Sequence, residues 1–266
     1  MIPKIIHFCW LSGDPFPKDI ALCLESWKKH LQDYELWLWG KTPEDNLGLK
    51  IVERSFDLDS AVWCKQAFEA KKYAFAADYI RLYALYYKGG VYLDSDVVVY
   101  KSFNDLLHLP YFIGEDRTHC FEPAIIGCEP GTPWIKYVLD RYKNIPFICH
   151  EGNYNMRGLP LIFNDRLKNK YQFYRQKEKN YKYEDNVIRI FPYNHFNSRD
   201  YLGSKKYSES YCSHTYQGSW LKKNHNTRII RDAKKIIPRQ LLNYFYRFYY
   251  LTIGKLSLKE NSIKYM

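Results

Sequence analysis

Gly89-Gly90-Val91-Tyr92-Leu93-Asp94-Ser95-Asp96 is the stretch on which the reading of this chain turns. Its two glycines follow the last periodic residues of a helical pattern running from about Ser60 to Tyr87, as one long helix or two consecutive ones, and they stop it as glycine does at helix C-termini. Val91-Tyr92-Leu93 then enters a short strand, and Val97-Val98-Val99-Tyr100 resumes β-rich sequence beyond the acids. This order sets Asp94 and Asp96 at the carboxyl end of a strand, where nucleotides bind in open α/β sheets.

Working outward, residues 2–10 read as a buried first strand. Ser12-Gly13-Asp14-Pro15 and Pro17 break the chain, and an amphipathic helix follows over about Asp19 to Leu31. Tyr34-Glu35-Leu36-Trp37-Leu38-Trp39 alternates as a second strand. Strand, helix and strand in succession predict a βαβ unit and hence an α/β fold on a mainly parallel sheet. Downstream, Ala124-Ile125-Ile126-Gly127 reads as a strand, Thr132 to Tyr142 as a helix opened by Pro133, and residues 151–160 as a loop. Residues 164–210 are polar and Tyr-rich, and their pattern assigns them to no element.

The 266 residues suit one such domain with a short appendage. Seven cysteines, an odd number without a Cys-x-x-Cys pair or zinc-like spacing, read as reduced thiols. The N-terminus has no signal-peptide pattern, and no run approaches the roughly 18 apolar residues of a spanning helix, so the expected location is the cytoplasm. The net charge of +11 is unevenly spread. Residues 221–266 hold eleven Lys and Arg against Asp232 and Glu260, a balance of +9, which leaves +2 for the rest of the chain. A near-neutral body argues against an extended nucleic-acid track.

Two carboxylates one residue apart on an irregular link can serve a hard divalent cation, which in turn can bridge the phosphates of a sugar nucleotide. Asp-x-Asp alone is common in exposed turns. Here apolar residues flank it, and upstream Asp78 and Arg81 lie three apart on one face of a strongly apolar helix. Ala74-Phe75-Ala76-Ala77, Tyr79-Ile80 and Leu82-Tyr83 leave little solvated surface for a plain ion pair, so both side chains are expected in the same cleft as the acids.

Ala77-Asp78-Tyr79-Ile80-Arg81-Leu82 through Gly89 to Asp96 resembles the core signature of the glycosyltransferase sugar-binding region with a DXD motif. That group spans family 32 enzymes of bacterial capsule synthesis and yeast mannosyltransferases, and is related to the large clostridial glucosylating toxins. Ile6-His7-Phe8-Cys9-Trp10 and His214-Thr215-Tyr216-Gln217-Gly218-Ser219-Trp220 are similar to its other two landmarks, so the resemblance brackets residues 1–220. It implies a GT-A type, Rossmann-like mixed sheet, a nucleotide-sugar donor (a UDP-sugar above all), Mn2+ or Mg2+, and retention of anomeric configuration. By the same resemblance Trp10 stacks on the donor's base, and Asp78 and Arg81 bind its sugar, Arg81 also lying near the phosphates. Asp94 contacts ribose or sugar and reaches the metal through water, Asp96 ligates the metal, and His214 is a further metal ligand. Ser219 and Trp220 close over the diphosphate.

Relatives tend to carry a Thr-Gly-Pro-like loop facing the acceptor, whereas here Leu159 separates Gly158 from Pro160, and no residue of 151–160 is assigned a role. A front-face mechanism requires no protein nucleophile. Glu122 is the candidate should a double displacement operate. His7, inside an apolar strand, reads as structural.

The implied acceptor is a saccharide, lipid-linked, of a capsule or cell-surface polysaccharide. Residues 221–266 mix basic with apolar and aromatic side chains, the composition of a segment lying on an anionic membrane surface, here the inner face of the plasma membrane. Two rival readings are a sugar-nucleotide nucleotidyltransferase and a nucleic-acid-binding protein working through the tail. The first expects a Gly-rich phosphate loop after strand one, which Trp10-Leu11-Ser12-Gly13-Asp14-Pro15 is not. The second leaves Asp78, Arg81, Asp94 and Asp96 unexplained.

Overall fold

The N-terminal βαβ unit forms as the periodicity predicts: β1 (Ile5–Trp10), α1 (Lys18–His30) and β2 (Glu35–Gly40), with β2 parallel to β1. The computed structural model describes residues 1–116, 119–175, 179–197 and 207–216. Beyond β3 (Ile51–Arg54) come α2 (Val62–Glu69), α3 (Tyr73–Lys88), β4 (Gly90–Leu93), β5 (Val97–Val99), β6 (Tyr111–Glu115) and β7 (Phe121–Cys128). One six-stranded sheet has the order β3-β2-β1-β4-β7-β6, in which β7 alone runs against its neighbours. This is the Rossmann-like, mixed but mainly parallel sheet expected for a GT-A type fold.

Alternation along the strands divides two cores. Ile6, Phe8, Leu36 and Leu38 meet Ile20, Leu24 and Trp27 of α1, and Trp27 reaches past them to donate from its indole N–H to the Val97 carbonyl at 2.7 Å. Trp39 and Tyr92 face the other way, onto α2, α3 and α4 (Pro133–Leu139). The helical stretch is two helices, parted at Ala70-Lys71-Lys72, where Lys71 adopts φ +56°.

Gly89 and Gly90 make the turn from α3 into β4. Gly89 caps α3 by donating to Leu85 O at 2.9 Å with φ +64°, and a Cβ there would lie 2.7 Å from Pro130. At Gly90, with φ +98°, a Cβ would come 2.8 Å from the Ile5 carbonyl. Side chains at either position would push β4 off β1. The buried His7 ring closes the same corner, with Nε2 2.7 Å from Gly89 O and Nδ1 accepting from the Trp39 indole at 3.2 Å. Burial lowers His7 to about 4, so it is neutral and structural, as expected.

The expected helix over Thr132–Tyr142 is shorter. α4 ends at Leu139 and tightens into a 3-10 turn over Asp140–Asn144. The expected loop at 151–160 gives way at its end to α5 (Leu159–Leu167), with Pro160 in the first turn, where its missing N–H costs nothing. The unassigned region holds β8 (Gln172–Arg175), β9 (Val187–Ile190) and α6 (Tyr193–Phe196). β10 (Cys212–His214) pairs antiparallel with β5, setting His214 opposite Val97. All seven cysteines are free, and no helix of the described residues is long and apolar enough to cross a membrane. Ser219, Trp220 and residues 221–266 lie outside the described residues.

Candidate active site

Asp78 and Arg81 project from α3 into the space beyond the carboxyl end of β4, and both are buried. The guanidinium of Arg81 lies over the Tyr92 ring at 4.4 Å. Its Nη1 donates to Pro123 O at 2.6 Å, and its Nη2 donates to Asp94 Oδ1 at 3.0 Å and sits 3.3 Å from Asp78 Oδ1. The Tyr92 hydroxyl donates to the same Asp94 oxygen at 3.1 Å. This is no surface ion pair. Alternation in β4 turns Tyr92 toward α3, and the motif's own strand thereby supplies a platform for Arg81 and a donor for Asp94.

Burial drives the Asp78 carboxyl up to about 7, against the pull of Arg81 and of a hydrogen bond from the Leu159 N–H, at the head of α5. A folded-state value above the ordinary 3.8 means the fold holds this proton more tightly than the unfolded chain does. The ionised form therefore costs stability, increasingly as pH rises from the unfolded value to the folded one. Asp78→Asn, which keeps volume and loses the buried charge, is expected to raise the melting temperature by a few degrees at about pH 8 and to lose that advantage near about pH 4. Thermal melts at the two pH values check this; a lower melting temperature at the higher pH would contradict it.

Asp94-Ser95-Asp96 forms the turn between β4 and β5. Asp94 N–H donates to Ala124 O at 2.9 Å, and Asp94 O accepts from Val97 N–H at 3.0 Å. Thr215, just past β10, fixes the other acid by donating to Asp96 O from its N–H at 3.0 Å and from its hydroxyl at 2.8 Å. The β10–β5 pairing thus carries His214 across more than a hundred residues of sequence, and its Nε2 comes 3.2 Å from Asp96 Oδ1. Ligand atoms of Asp94, Asp96 and His214 all lie within 4.8 Å of one another.

Behind His214, Nδ1 sits 3.3 Å from Glu122 Oε1 as an ion pair without hydrogen-bond alignment. Burial alone would lower this imidazole, but Asp96 and Glu122 outweigh it and hold His214 charged well above the usual range. Burial likewise works against the Glu122 carboxylate. The His214 charge, with donors from Tyr216 (2.8 Å) and Ala124 N–H (3.2 Å), nevertheless keeps it below the ordinary value, and Asn197 donates to it at 2.9 Å. Both Glu122 oxygens are thus engaged, Oε1 by His214 and the Ala124 N–H and Oε2 by Tyr216 and Asn197. For Asp94 the balance is the reverse: burial and the nearby Asp96 raise it against Arg81.

Two carboxylates and an imidazole around one point, with a carboxylate holding the imidazole from behind, fit a divalent cation that accepts oxygen and nitrogen ligands. A cation bound there would take the place of the proton on His214. Trp10 ends β1, the strand beside β4. It is half-buried, its indole N–H donates to Asp14 O at 2.7 Å, and its ring packs on Phe16 at 5.1 Å. Sequence reading missed Tyr92, Thr215 and the holding role of Glu122. Tyr92 was open to discovery through the alternation of Val91-Tyr92-Leu93, whereas the others depend on the β5–β10 pairing, which leaves no local signal.

Residues 17–113 match the family model described as the glycosyltransferase sugar-binding region containing a DXD motif. The chain is 28% identical over 150 residues to inositol phosphoceramide mannosyltransferase 3 of Schizosaccharomyces pombe, a match covering 56% of this chain and 39% of that protein. It is 28% identical over 177 residues to mannosyl phosphorylinositol ceramide synthase SUR1 of Saccharomyces cerevisiae, covering 61% and 42%. The chain spans about two fifths of the length of these curated relatives. Among solved structures, the PaToxG glycosyltransferase is similar with a TM-score of 0.48 and 23% identity, over 63% of this chain and 69% of that one.

Proposed function

We propose, from the premise that residues 17–113 belong to the family of the glycosyltransferase sugar-binding region containing a DXD motif, that this chain moves a sugar from a nucleotide diphosphate donor to a saccharide acceptor with retention of configuration. The observation that carries the reading is the convergence of Asp94, Asp96 and His214 in front of a buried, fully aimed Arg81. Asp96 and His214 would hold Mn2+ or Mg2+, and Asp94 would reach it through water. The cation, when bound, offsets charge on the leaving diphosphate. Arg81 holds Asp94 and adds positive potential in a site shielded from water, where a fixed charge acts most strongly. Asp78 takes donor-sugar hydroxyls, Trp10 stacks on the base, and Ser219 and Trp220 close over the diphosphate. Glu122, with both oxygens engaged, supports a reaction without a protein nucleophile.

The donor favoured is a UDP-hexose, with GDP-mannose as the other to be tried, and the acceptor is a lipid-linked glycan of a capsule or cell surface. The test is a panel of nucleotide sugars assayed for hydrolysis with and without Mn2+. Metal-dependent release of sugar from one donor supports the reading, and its absence across the panel sinks it.

In this reading residues 1–220 are the catalytic unit and residues 221–266 rest on an anionic membrane at the cytoplasmic face, each engaged basic residue adding about 1 kcal/mol. Deleting residues 225–266 is expected to keep donor hydrolysis and to weaken flotation with anionic vesicles. Undiminished flotation would refute the anchor.

A further inference from the structure

Where β2 and β3 form one edge of the sheet, on the face turned to α3, lies a cavity of about 440 Å3 whose walls include Trp37, Trp39, Arg54, Phe56, Tyr83 and Lys88. It stands apart from the catalytic cleft. Lys88 is the last residue of α3, seven beyond Arg81 and so about 10 Å further from the cleft along the helix axis. At its near end the Phe56 ring packs on Tyr79 at 5.7 Å. The aromatic walls meet almost at right angles, Trp39 on Tyr83 at 6.1 Å and 85°, Phe56 on Tyr83 at 5.0 Å and 81°. They enclose a corner, not a parallel slot. Tyr87, 54% exposed and 4.7 Å from Tyr83, continues the aromatic surface outward.

The guanidinium of Arg54, at the end of β3, lies over the Trp37 ring at 3.7 Å and is half-buried. Its Nε is shut from water without a hydrogen-bond partner, and among the described residues no acid pairs with it or with Lys88. The two carboxylates on the wall are taken up by main-chain donors, Glu53 by the Thr42 N–H at 2.7 Å and Asp57 by the Asp59 N–H at 3.0 Å. Behind Trp37 and Trp39 sits His7, which burial, helped by the charges of Arg54 and Lys88, keeps neutral. It supplies no counter-charge. A desolvated guanidinium held on an aromatic ring, with its donors unclaimed at the wall of a cavity, is arranged to meet an anion from outside the chain.

We infer that this cavity is a second saccharide site, separate from the donor and metal site, and that it takes a sugar ring bearing a carboxylate, such as a uronic acid unit of a glycan. Its volume is that of a small-ligand cleft and its lining, aromatic walls with a few polar groups, is of the same kind. A flat base would need two parallel faces, whereas a pyranose lays its C–H face on one ring and turns its polar edge to the next, which a right-angled corner allows. A carboxylate matches the single fork of Arg54, which one bidentate pair satisfies, and Lys88 adds a second positive charge. Such a site would keep an acidic glycan on the enzyme away from the reacting end of the chain.

The test titrates glucuronate into the full chain, with glucose as the uncharged ring and acetate as the carboxylate without a ring. Wild type is expected to bind glucuronate about tenfold or more tightly than either control, and Arg54→Gln to weaken glucuronate binding by a similar factor. Melting curves establish that the variant is folded. If it melts early, Lys88→Gln, at an exposed helix end, carries the same test with an expected loss of about threefold. Absence of glucuronate binding in wild type, equal affinity for glucose or acetate, or unchanged affinity in the folded variant overturns the site. Donor hydrolysis by Arg54→Gln is expected to equal that of wild type; a large fall in the folded variant would put Arg54 in the donor site and end the claim of a separate one. If wild type hydrolyses no donor, the glycosyltransferase reading falls by itself, and the binding result decides this site independently.

Discussion

Asp96→Asn is expected to abolish metal-dependent donor hydrolysis while leaving the protein folded. Asn keeps the volume of Asp, and the Asp96 main chain is what anchors the turn, through the two Thr215 donors to its carbonyl. The side chain faces His214 Nε2 at 3.2 Å and the point shared with Asp94. Removing its charge takes away a direct ligand and also one of the two carboxylates that hold His214 charged in the absence of metal. Loss of a charged ligand should cost several kcal/mol of transition-state stabilisation, roughly a hundredfold or more in rate. Turnover and Mn2+ titration of purified wild type and variant check this. Near-wild-type turnover at limiting Mn2+ would remove Asp96 from the metal site. The same measurement separates the two roles of the turn, because a variant that melts early has lost the β5–β10 lap and its activity carries no information about ligation.

The sequence was legible where side-chain pattern and chain neighbourhood carry the information. The βαβ start follows from alternation in Ile5–Trp10 and Glu35–Gly40 and from the helical period between them. The α3–β4 turn follows from Gly89-Gly90, which alone tolerate the close approach to Pro130 and Ile5. Asp78, Arg81, Asp94 and Asp96 came together because eight residues of apolar helix and a four-residue strand fix their spacing. His214 was reached through family likeness, since nothing in Cys212-Ser213-His214 announces its pairing with β5. Glu122 was noticed only as the candidate for a double displacement, not as the residue behind His214. Its role depends on His214, Tyr216 and Asn197 arriving from distant segments. Between 164 and 210, short elements of four residues such as β8, β9 and α6 are held by tertiary packing, below the length at which periodicity speaks.

Arg81→Lys, which keeps the charge, is expected to lower the rate by roughly a hundredfold, because the guanidinium acts by its shape. One arm of the fork serves the Pro123 carbonyl at 2.6 Å and the other serves Asp94 at 3.0 Å, while the flat face rests on Tyr92 at 4.4 Å. An ammonium is a single compact point and cannot meet Pro123 O and Asp94 Oδ1 from opposite ends of a plane. Either Asp94 turns away from the metal position or the Pro123 carbonyl is left buried without its donor, at about 1–3 kcal/mol for the unmade bond. From sequence, the exchange is expected to spare the melting temperature. The buried network instead predicts a fall of several degrees as well, since the same contacts join α3 to the start of β7. The two effects are separable by measuring specific activity on the folded fraction below the melting transition. A large loss there, with Mn2+ affinity weakened, places Arg81 as the residue that aims Asp94. Normal specific activity with only a lowered melting temperature would reduce Arg81 to a structural pin and leave the donor phosphates to other residues.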